Sequence, residues 1–299
     1  YLGRVYSKFN RAYKMNKNIT IMIFTRNEEN RLPYINENLK NFCEIIVFDG
    51  GSTDGTLDYC DKNNIKYLIR PAHAADDTLE ENTYKWAHEN VSTEYVLNVI
   101  CSHFYPKELL DKFSNIADEN RLEAVYHDVV VHRYGQVVHK PILRRVASAC
   151  NFYKKSTVNF EQTKIHDELA IQFNKDNMIR LDARDELSLH LFQDDDCHGF
   201  INKTSKYATI EANQRFMAGK KVGFTGVFFK PLLRFFYSYF RSGAFIHGMP
   251  GLIYSVLNLV YDFNVNIVLW ELSHDLSQRK VIEKNNLVRE KLIKNSNNP

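Results

Sequence analysis

The sequence has no cysteine pattern that would support a disulfide framework or a structural zinc site. Its 299 residues include five cysteines, an odd number that is widely separated and contains no CxxC spacing. This spacing excludes the small disulfide-rich secreted folds and favours a reducing compartment. The five residues are Cys43, Cys60, Cys101, Cys150 and Cys197.

The sequence also lacks a strong net charge, and no signal-peptide pattern occurs near its start. The formal net charge is +3, too small to suggest a nucleic-acid-binding protein, and no zinc-finger, RRM or homeodomain signature occurs. No stretch near the start combines an apolar run with a small-residue cleavage site. The chain begins at Tyr1 rather than Met, which is compatible with a missing true start. We therefore expect a cytoplasmic protein that does not bind nucleic acid.

Charge-free runs are short. The longest, from Ser242 to Tyr261, approaches transmembrane length but contains His247, Pro250 and three glycines. These residues disfavour a simple spanning helix. The overall composition, 44% hydrophobic and 25% charged, is instead that of a globular protein long enough to bury a substantial core.

Apolar runs of β-forming residues alternate with polar, helix-forming segments in the first part of the chain. This alternation predicts an α/β fold with a mostly parallel sheet and flanking helices, whose ligands lie beyond the carboxyl ends of the strands. One of the helices is predicted over residues 79–91, and Gly135 marks a hairpin turn. The predicted strands are residues 19–24, 44–50, 65–70 and 95–101, with further strands within 121–146.

The stretch IIVFDGGSTDGT, residues 45–56, places polar residues where a buried strand ends. Asp49 emerges at the edge of the sheet, where its carboxylate can accept a hydrogen bond from a donor such as a uracil N–H. Gly50 permits close approach of a ligand, and Ser52 or Asp54 can cap the following helix, whose N-terminal amides favour an anion. The stretch predicts a nucleotide or phosphate site. The alternative is a plain turn whose polar residues only cap the helix.

A second polar turn, TRNEEN at residues 25–30, follows the preceding strand. The pair of motifs resembles the nucleotide-binding half of the family 2 glycosyltransferases, which have the GT-A fold. The resemblance implies a nucleotide-sugar donor, with a UDP-sugar favoured, and places Asp49 on the base. It also implies the residues that line the donor pocket, namely Thr25, Arg26, Asn27, Glu28 and Asp49.

The resemblance covers roughly residues 18–272 and is closest to the branch that builds lipopolysaccharide cores. Asn82 matches the family's Asn in the helix before the fourth strand, with Glu81 in place of an arginine. His190 and much of the stretch after residue 200 also fit this branch, although His247 stands where it usually has Asp.

The segment IHDEL, residues 165–169, resembles the branch's His-Glu motif. An inverting transfer needs one positioned base to take the acceptor's proton. The resemblance implies that Asp167 is this base, with Glu168 as the second choice and His166 orienting the acceptor or contacting the leaving phosphates. The alternative is an ordinary polar loop.

The family's Asp-x-Asp metal motif is missing, because Ile100, Cys101 and Ser102 stand at its three positions. A cofactor metal, Mg²⁺ or Mn²⁺, is therefore doubtful. The leading interpretation is a metal-independent enzyme in which Ser102, His103 and basic residues such as Arg144 or Arg145 offset the diphosphate charge. The alternatives are metal ligands from residues 193–198, which we expect to be a solvated loop or helix cap, and a catalytically silent nucleotide-sugar-binding protein.

The chain changes character after about residue 200. Residues 203–241 contain eight Lys or Arg and one acid, interspersed with Phe, Leu and Tyr. This pattern predicts helices in a bilayer interface, the alternatives being a buried helical hairpin or an oligomer contact. We expect three segments: a basic amphipathic N-terminal arm (1–17), a GT-A domain (18–200) and a helical C-terminal region (201–299).

The resemblance implies a glycosyltransferase that moves a sugar from a nucleotide-sugar donor to a surface or envelope glycan or glycolipid. We expect it at the cytoplasmic face of the inner membrane as a peripheral protein. A membrane-surface scaffold is the second alternative.

Overall fold

The computed structural model describes residues 15–71, 81–139, 148–158, 175–241 and 243–296. The chain forms two compact units, Tyr1–Asp194 and Asp195–Pro299. The predicted boundary at residue 200 lies near this division, within the helix Cys197–Met217. The predicted catalytic segment 165–169 and the residues Arg144 and Arg145 lie outside the described residues.

The first unit contains a ten-stranded mixed sheet with α-helices packed against it. Its central strand order is β3-β2-β1-β4-β8-β6-β10-β5, and β7 and β9 both pair with β6. The strands are β1 Asn16–Thr25, β2 Cys43–Asp49, β3 Lys66–Ile69, β4 Tyr95–Ile100, β5 His103–Phe104, β6 Ala124–Arg133, β7 Gln136–His139, β8 Ser148–Lys154, β9 Met178–Arg180 and β10 Leu189–Gln193.

Among the described residues, four α-helices belong to the first unit and four to the second. They are α1 Leu32–Leu39, α2 Thr56–Lys62, α3 Glu81–Glu89, α4 Lys107–Glu119, α5 Cys197–Met217, α6 Phe224–Phe236, α7 Gly248–Ser273 and α8 Gln278–Ser296. One π-helical turn, Tyr237–Arg241, continues α6. Short 3-10 turns occur at Lys155–Thr157, Lys175–Asn177, Asp185–Leu187 and Ala244–His247.

The predicted α/β fold is confirmed. Strands β3, β2, β1 and β4 run parallel to one another, so their carboxyl ends share one edge of the sheet. Each of the four matches a strand predicted from an apolar run. The predicted hairpin is also confirmed: β6 and β7 pair in antiparallel fashion around Tyr134 and Gly135, which both have positive φ.

Both faces of the sheet are covered, which explains why β1 reads as an unbroken apolar run. Ile19, Ile21 and Ile23 face one core cluster. Met22 and Phe24 face the other. Because side chains alternate between faces along a strand, a strand with two buried faces needs apolar residues at every position.

The last two residues of the predicted N-terminal arm, Asn16 and Lys17, belong to β1. Residues 1–14 lie outside the described part of the chain, but Asn16 already pairs with Cys43 of β2. The Asn16 side chain also donates to Ser114 Oγ on α4 at 2.8 Å. These long-range bonds hold the start of β1 against β2 and α4.

The second unit is helical. Its core lies between α5 and α7, where Ala208 and Ala212 pack against Val265 and Leu269. Small side chains at this contact allow the two helices to approach closely. Asp196 begins α5 as an N-cap, since its carboxylate accepts from the Gly199 amide at 2.7 Å.

Pro250 does not interrupt the last apolar segment. It is the third residue of α7, where the backbone N–H of any residue would lack an intrahelical partner. Within the described residues, one helical stretch, Ala244–Ser273, is long and apolar enough to cross a bilayer, with 33% of its most apolar window buried inside the protein. The core helix of a soluble protein passes the same test, so length and composition alone assign no membrane span.

Candidate donor-binding site

The loops after β1 and β2 meet at the carboxyl edge of the sheet. Thr25 and Asp49 are paired residues on the two strands, and the Thr25 hydroxyl donates to Asp49 Oδ1 at 2.9 Å. The Gly50 amide donates to the Thr25 carbonyl at 2.8 Å. We call residues 25–31 and 49–56 together the donor edge.

Asp49 is completely buried and its carboxylate is held by its own neighbours. Oδ2 accepts from the amides of Gly51 (2.8 Å) and Ser52 (2.7 Å), and Oδ1 accepts from the hydroxyls of Thr25 (2.9 Å) and Ser52 (2.5 Å). Four bonds fill the four lone-pair sites of a carboxylate. A base ring could therefore reach Asp49 only by replacing one of these bonds.

Asn27 locks the two loops together from the outside. Its amide donates to Ser52 Oγ at 2.8 Å, and its side-chain oxygen accepts from the Thr53 amide at 2.8 Å. Asn27 has φ of 59°, in the left-handed region that Asn tolerates better than most residues. Gly51 has φ of 87° and favours glycine for the same reason.

A second set of bonds joins the same loops one turn further on. The Glu28 amide donates to Thr56 Oγ1 (2.7 Å), and the Gly55 amide donates to Glu29 Oε2 (2.8 Å). Asp54 accepts from the Glu29 and Thr56 amides at 3.2 and 3.0 Å. Burial acts to raise the pKa of Asp54, but these bonds and the Thr56 hydroxyl outweigh it and hold the pKa below its ordinary value.

Glu28 positions a basic residue beside this edge. Its carboxylate binds Arg31 through two bonds, from Nε at 2.7 Å and Nη2 at 2.8 Å. Asp194 lies 3.6 Å from the same guanidinium. By contrast, Arg26 is exposed and makes no ion pair among the described residues. Arg26 is thus the cation of this edge that remains available to an anionic ligand.

The end of β3 adds a residue that the sequence analysis missed. Arg70 directly follows β3, its amide donates to the Asp49 carbonyl at 2.8 Å, and its Nη1 donates to Thr83 Oγ1 at 3.1 Å. Thr83 follows the predicted site residue Asn82, which is exposed in the first turn of α3. The available signal was position: Arg70 ends the third parallel strand as Asp49 ends the second.

The end of β4 does not fit a divalent metal. Hard cations prefer oxygen ligands, and Ile100 offers none. Burial, with the nearby Glu28 charge, raises the pKa of the Cys101 thiol, whereas the thiolate is the form that binds metals. Among the described residues, no three His, Cys, Asp or Glu side chains are grouped so that they could hold a metal ion.

The run at 193–198 has other contacts. Asp196 caps α5, and a helix cap is one of the two roles predicted for this run. Asp195 lies 3.3 Å from Lys203. Ser102 accepts from the Phe192 amide through its backbone carbonyl at 2.8 Å.

His103 is a neutral hydrogen-bonding group. Burial lowers its pKa to about 3, and the neighbouring His127 adds to this effect. Nδ1 lies 3.4 Å from the Ile100 amide and 3.1 Å from the Tyr105 hydroxyl, so it acts as an acceptor and the proton is assigned to Nε2. Nε2 has no partner among the described residues. His103 can therefore donate a bond to a phosphate, but it does not offset charge as the sequence analysis expected.

A histidine pair on the neighbouring strands was also not foreseen. His132 Nε2 and His190 Nδ1 lie 2.8 Å apart on β6 and β10, and the rings stack with centroids 5.0 Å apart. Burial, reinforced by His190, lowers the pKa of His132. The two residues are 58 positions apart in the sequence, so no short-range pattern pairs them.

Curated proteins similar to this chain include several glycosyltransferases. The sequence profile of glycosyl transferase family 2 matches residues 20–175. Lipopolysaccharide core biosynthesis glycosyltransferase LpsC of Rhizobium meliloti (strain 1021) is 27% identical over 82% of this chain and 89% of that protein. The uncharacterized glycosyltransferase RC0292 of Rickettsia conorii is 24% identical over 81% and 88%. The crystal structure of S. aureus TarS 1-349 with UDP-GlcNAc has 13% identity and a TM-score of 0.47, covering 86% and 92%.

Proposed function

The chain belongs to glycosyl transferase family 2 and is a glycosyltransferase, and we propose that it transfers a sugar from a UDP-sugar to a surface or envelope glycan. The observation that supports this best is the hydrogen bond between Thr25 and Asp49, together with the bonds that join the rest of the donor edge. Two loops held together at the ends of parallel strands form the kind of edge where nucleotides bind in α/β folds.

The donor base is proposed to contact Asp49 by exchange. The N3–H of uracil needs an acceptor, and Asp49 Oδ1 becomes one when the Ser52 hydroxyl rotates away. The amides of Gly51 and Ser52 continue to hold Oδ2, so the carboxylate keeps its position during the exchange. Thr25, Asn27 and Glu28 form the wall on the β1 side.

The diphosphate is proposed to lie where cations and neutral donors face it from different strands. Arg26 follows β1, Arg70 follows β3, and His103 follows β4. A guanidinium binds phosphate oxygens through two parallel bonds, and a neutral imidazole N–H adds a third donor. Gly50, Ser102 and Asn82 complete the proposed donor contacts, and Ser52 and Asp54 hold the loop that carries them.

The chemical step is proposed to be an inverting displacement with Asp167 as the base. The Asp167 carboxylate takes the acceptor's hydroxyl proton while that oxygen forms a bond to the anomeric carbon. The bond from this carbon to the diphosphate oxygen breaks, and UDP leaves with the electron pair. Glu168 is the second candidate and His166 an orienting residue; these roles come from the resemblance of residues 165–169 to the family's motif.

Metal independence is part of this proposal. It is supported by the chemistry of Ile100 and Cys101, which do not suit Mg²⁺ or Mn²⁺. We therefore assign charge stabilisation to Arg26 and Arg70 rather than to a metal ion.

The acceptor is proposed to be a glycan or glycolipid at the cytoplasmic face of the inner membrane. Two observations support a peripheral membrane location. LpsC, which is similar over most of both chains, is named for lipopolysaccharide core biosynthesis. In addition, α6 exposes Phe224, Phe229, Leu233 and Phe236, which we call the α6 face.

The direct test is release of UDP from UDP-sugars with a membrane-derived acceptor, measured with and without EDTA. We expect turnover that EDTA does not remove. Asp167→Asn should lower kcat on the order of 100-fold or more without changing donor affinity. Asp275→Asn, an equivalent change at an exposed position before α8, is the matched control. Loss of turnover in EDTA would contradict metal independence.

The missing Asp-x-Asp motif favours one rival, a protein that binds a nucleotide-sugar without transferring it. This rival predicts donor binding but no UDP release with any acceptor preparation. A membrane-surface scaffold would instead bind vesicles and show no response to UDP-sugars.

A further inference from the structure

The second unit, Asp195–Pro299, which we call the helical unit, contains a cavity that has no role in the proposed donor chemistry. It has a volume of about 550 Å³ and lies between the end of α5, the turn that follows it, α6 and α7. Five cationic residues line it: Arg215, Lys220, Lys221, Lys230 and Arg234. Asp262 is its one acidic lining residue. We call this space the basic cavity.

Two of the five cations are already paired. Arg234 Nη1 lies 2.8 Å from Asp262 Oδ1, and Arg215 is bonded to Glu211 one helical turn before it. Asp262 is buried, so Arg234 is fixed in place by a charge that has little contact with water. These two ion pairs hold the side chains of Arg215 and Arg234 in place at the walls of the cavity.

The three lysines are not paired. Lys220, Lys221 and Lys230 are exposed and have no ion pair in the part of the chain that the structure describes. Three like charges around one space repel one another unless an anion lies between them. The basic cavity therefore suits a ligand with more than one negative charge.

The volume of the basic cavity limits the class of ligand that can fill it. Sites for small molecules usually enclose about 300 to 1,000 Å³, so the cavity is large enough for a phosphorylated headgroup rather than a single halide ion. A phosphate monoester carries between one and two negative charges near neutral pH and has three acceptor oxygens. Lysine ammonium groups bind such phosphates as point charges.

The helix that supplies two of the cations also supplies an apolar surface. Lys230 and Arg234 lie one turn apart on α6, and each directly follows an exposed apolar residue, Phe229 or Leu233. Basic residues beside exposed Phe and Leu are typical of helices that lie in a lipid interface. A ligand in the basic cavity would thus be held next to a surface suited to acyl chains.

We propose that the basic cavity binds the phosphate monoester of a lipid headgroup, with Lys220, Lys221 and Lys230 as its main contacts. The proposal rests on the membrane association stated under the proposed function, but not on the identity of the donor. The basic cavity would make binding selective for lipids with a phosphate monoester, whereas the α6 face alone would bind any bilayer.

The test is vesicle binding by the full chain. Vesicles of phosphatidylcholine alone are compared with vesicles containing phosphatidic acid, a monoester, or phosphatidylglycerol, a diester, at matched surface charge. The variant K220Q/K221Q/K230Q should lose affinity for the phosphatidic acid vesicles on the order of 100-fold. The matched control K284Q/K291Q/K294Q removes the same charge from α8 and should lose less than about ten-fold.

Three results would overturn the proposal. They are equal losses in the two triple variants, equal wild-type affinity for the monoester and diester vesicles, or binding of free inorganic pyrophosphate without binding of phosphatidic acid vesicles. The last result would identify a site for a soluble phosphate. A thermal shift with UDP-sugar, expected to be the same in wild type and K220Q/K221Q/K230Q, separates failure of this proposal from failure of the donor site.

Discussion

At the donor edge the carboxylate of Asp49 is fully buried and accepts four hydrogen bonds from its own loops. On α6, by contrast, the side chain of Leu233 is 68% exposed, and Lys230 has no ion pair among the described residues. The first region is complete without a ligand, so its shape is set before a donor arrives. The second leaves apolar area and positive charge unmatched. A preformed edge suits a small ligand that must be oriented, and an unmatched surface suits a large partner such as a bilayer.

The largest effect on stability is expected when the carboxylate that completes the donor edge is removed. Asp49→Ala leaves donors at Thr25, Gly51 and Ser52 without their acceptor. We expect a loss of about 4 kcal/mol of unfolding free energy, since each unsatisfied buried donor costs about 1 to 3 kcal/mol. Urea denaturation measures the loss.

Ser52→Ala is the control for this change. It removes the hydroxyl that donates to Asp49 Oδ1 and accepts from the Asn27 amide but leaves the Asp49 carboxylate in place, so we expect about 1 kcal/mol of destabilisation and retained donor binding. If Asp49→Ala is no less stable than Ser52→Ala, the bonds at Asp49 do not hold the edge together.

Lowering the pH should weaken the sheet unit through its buried histidines. Burial lowers the pKa of both His88 and His127 to about 4, below the value of about 6.5 expected in the unfolded chain. The unfolded state therefore binds more protons between these values, and stability falls as the pH drops through this window. From pH 6.5 to pH 5, each histidine should cost about 2 kcal/mol.

His127→Gln tests the assignment. Because this variant cannot gain a proton on unfolding at that position, its stability difference between pH 6.5 and pH 5 should shrink by about 2 kcal/mol relative to the wild type. The measurement is urea denaturation at both pH values. An unchanged difference would show that His127 does not contribute to the pH dependence.

A smaller effect is expected from reducing the exposed apolar area of the α6 face. Leu233→Ser should weaken binding to neutral vesicles about ten-fold, because a leucine side chain contributes about 1.5 kcal/mol or more when transferred from water. Folding stability should change little, since Leu233 is already exposed.

Leu287→Ser, on α8, is the matched control and should leave vesicle binding within about two-fold of the wild type. Leu287 is exposed to a similar degree, 61%. Equal weakening by both variants would remove the special role of the α6 face.

The smallest effect concerns the start of the helical unit. Asp196→Ala removes the N-cap of α5 and should cost about 1 kcal/mol. Asp195→Ala, which loses the exposed ion pair with Lys203, should cost less than about 0.5 kcal/mol. Thermal denaturation of both variants compares the two aspartates, and a larger loss for Asp195→Ala would contradict the assignment of the cap.

Local sequence patterns predicted which residues form the donor edge. They did not predict the contacts between residues that are far apart in the sequence. The runs ending at Thr25 and Asp49 were recognisable as parallel strands because both consist mainly of apolar, β-forming residues without alternation, and parallel strands bring their carboxyl ends together. The bonds from Arg70 to Thr83 and from His132 to His190 join distant parts of the chain, so no spacing rule reveals them. The saturation of Asp49 also depends on Thr25, 24 residues away.

In the helical unit the composition predicted helices and a basic aromatic surface but not how these residues are arranged. Pro250 and the neighbouring glycines suggested an interruption, yet they lie at the start of α7, where they are tolerated. The basic cavity depends on the packing of α5, α6 and α7, which the order of residues does not specify.

The most direct test of the account is a thermal-shift panel of UDP-, GDP-, dTDP- and CMP-linked sugars with the wild-type chain and Ser52→Ala. Binding to the native state should stabilise both proteins by about 3 kcal/mol at a ligand concentration 100 times Kd, and only the UDP-sugars should do so. No stabilisation by any nucleotide-sugar, or equal stabilisation by all four classes, would contradict the claim that the joined loops at Thr25 and Asp49 bind a uridine donor.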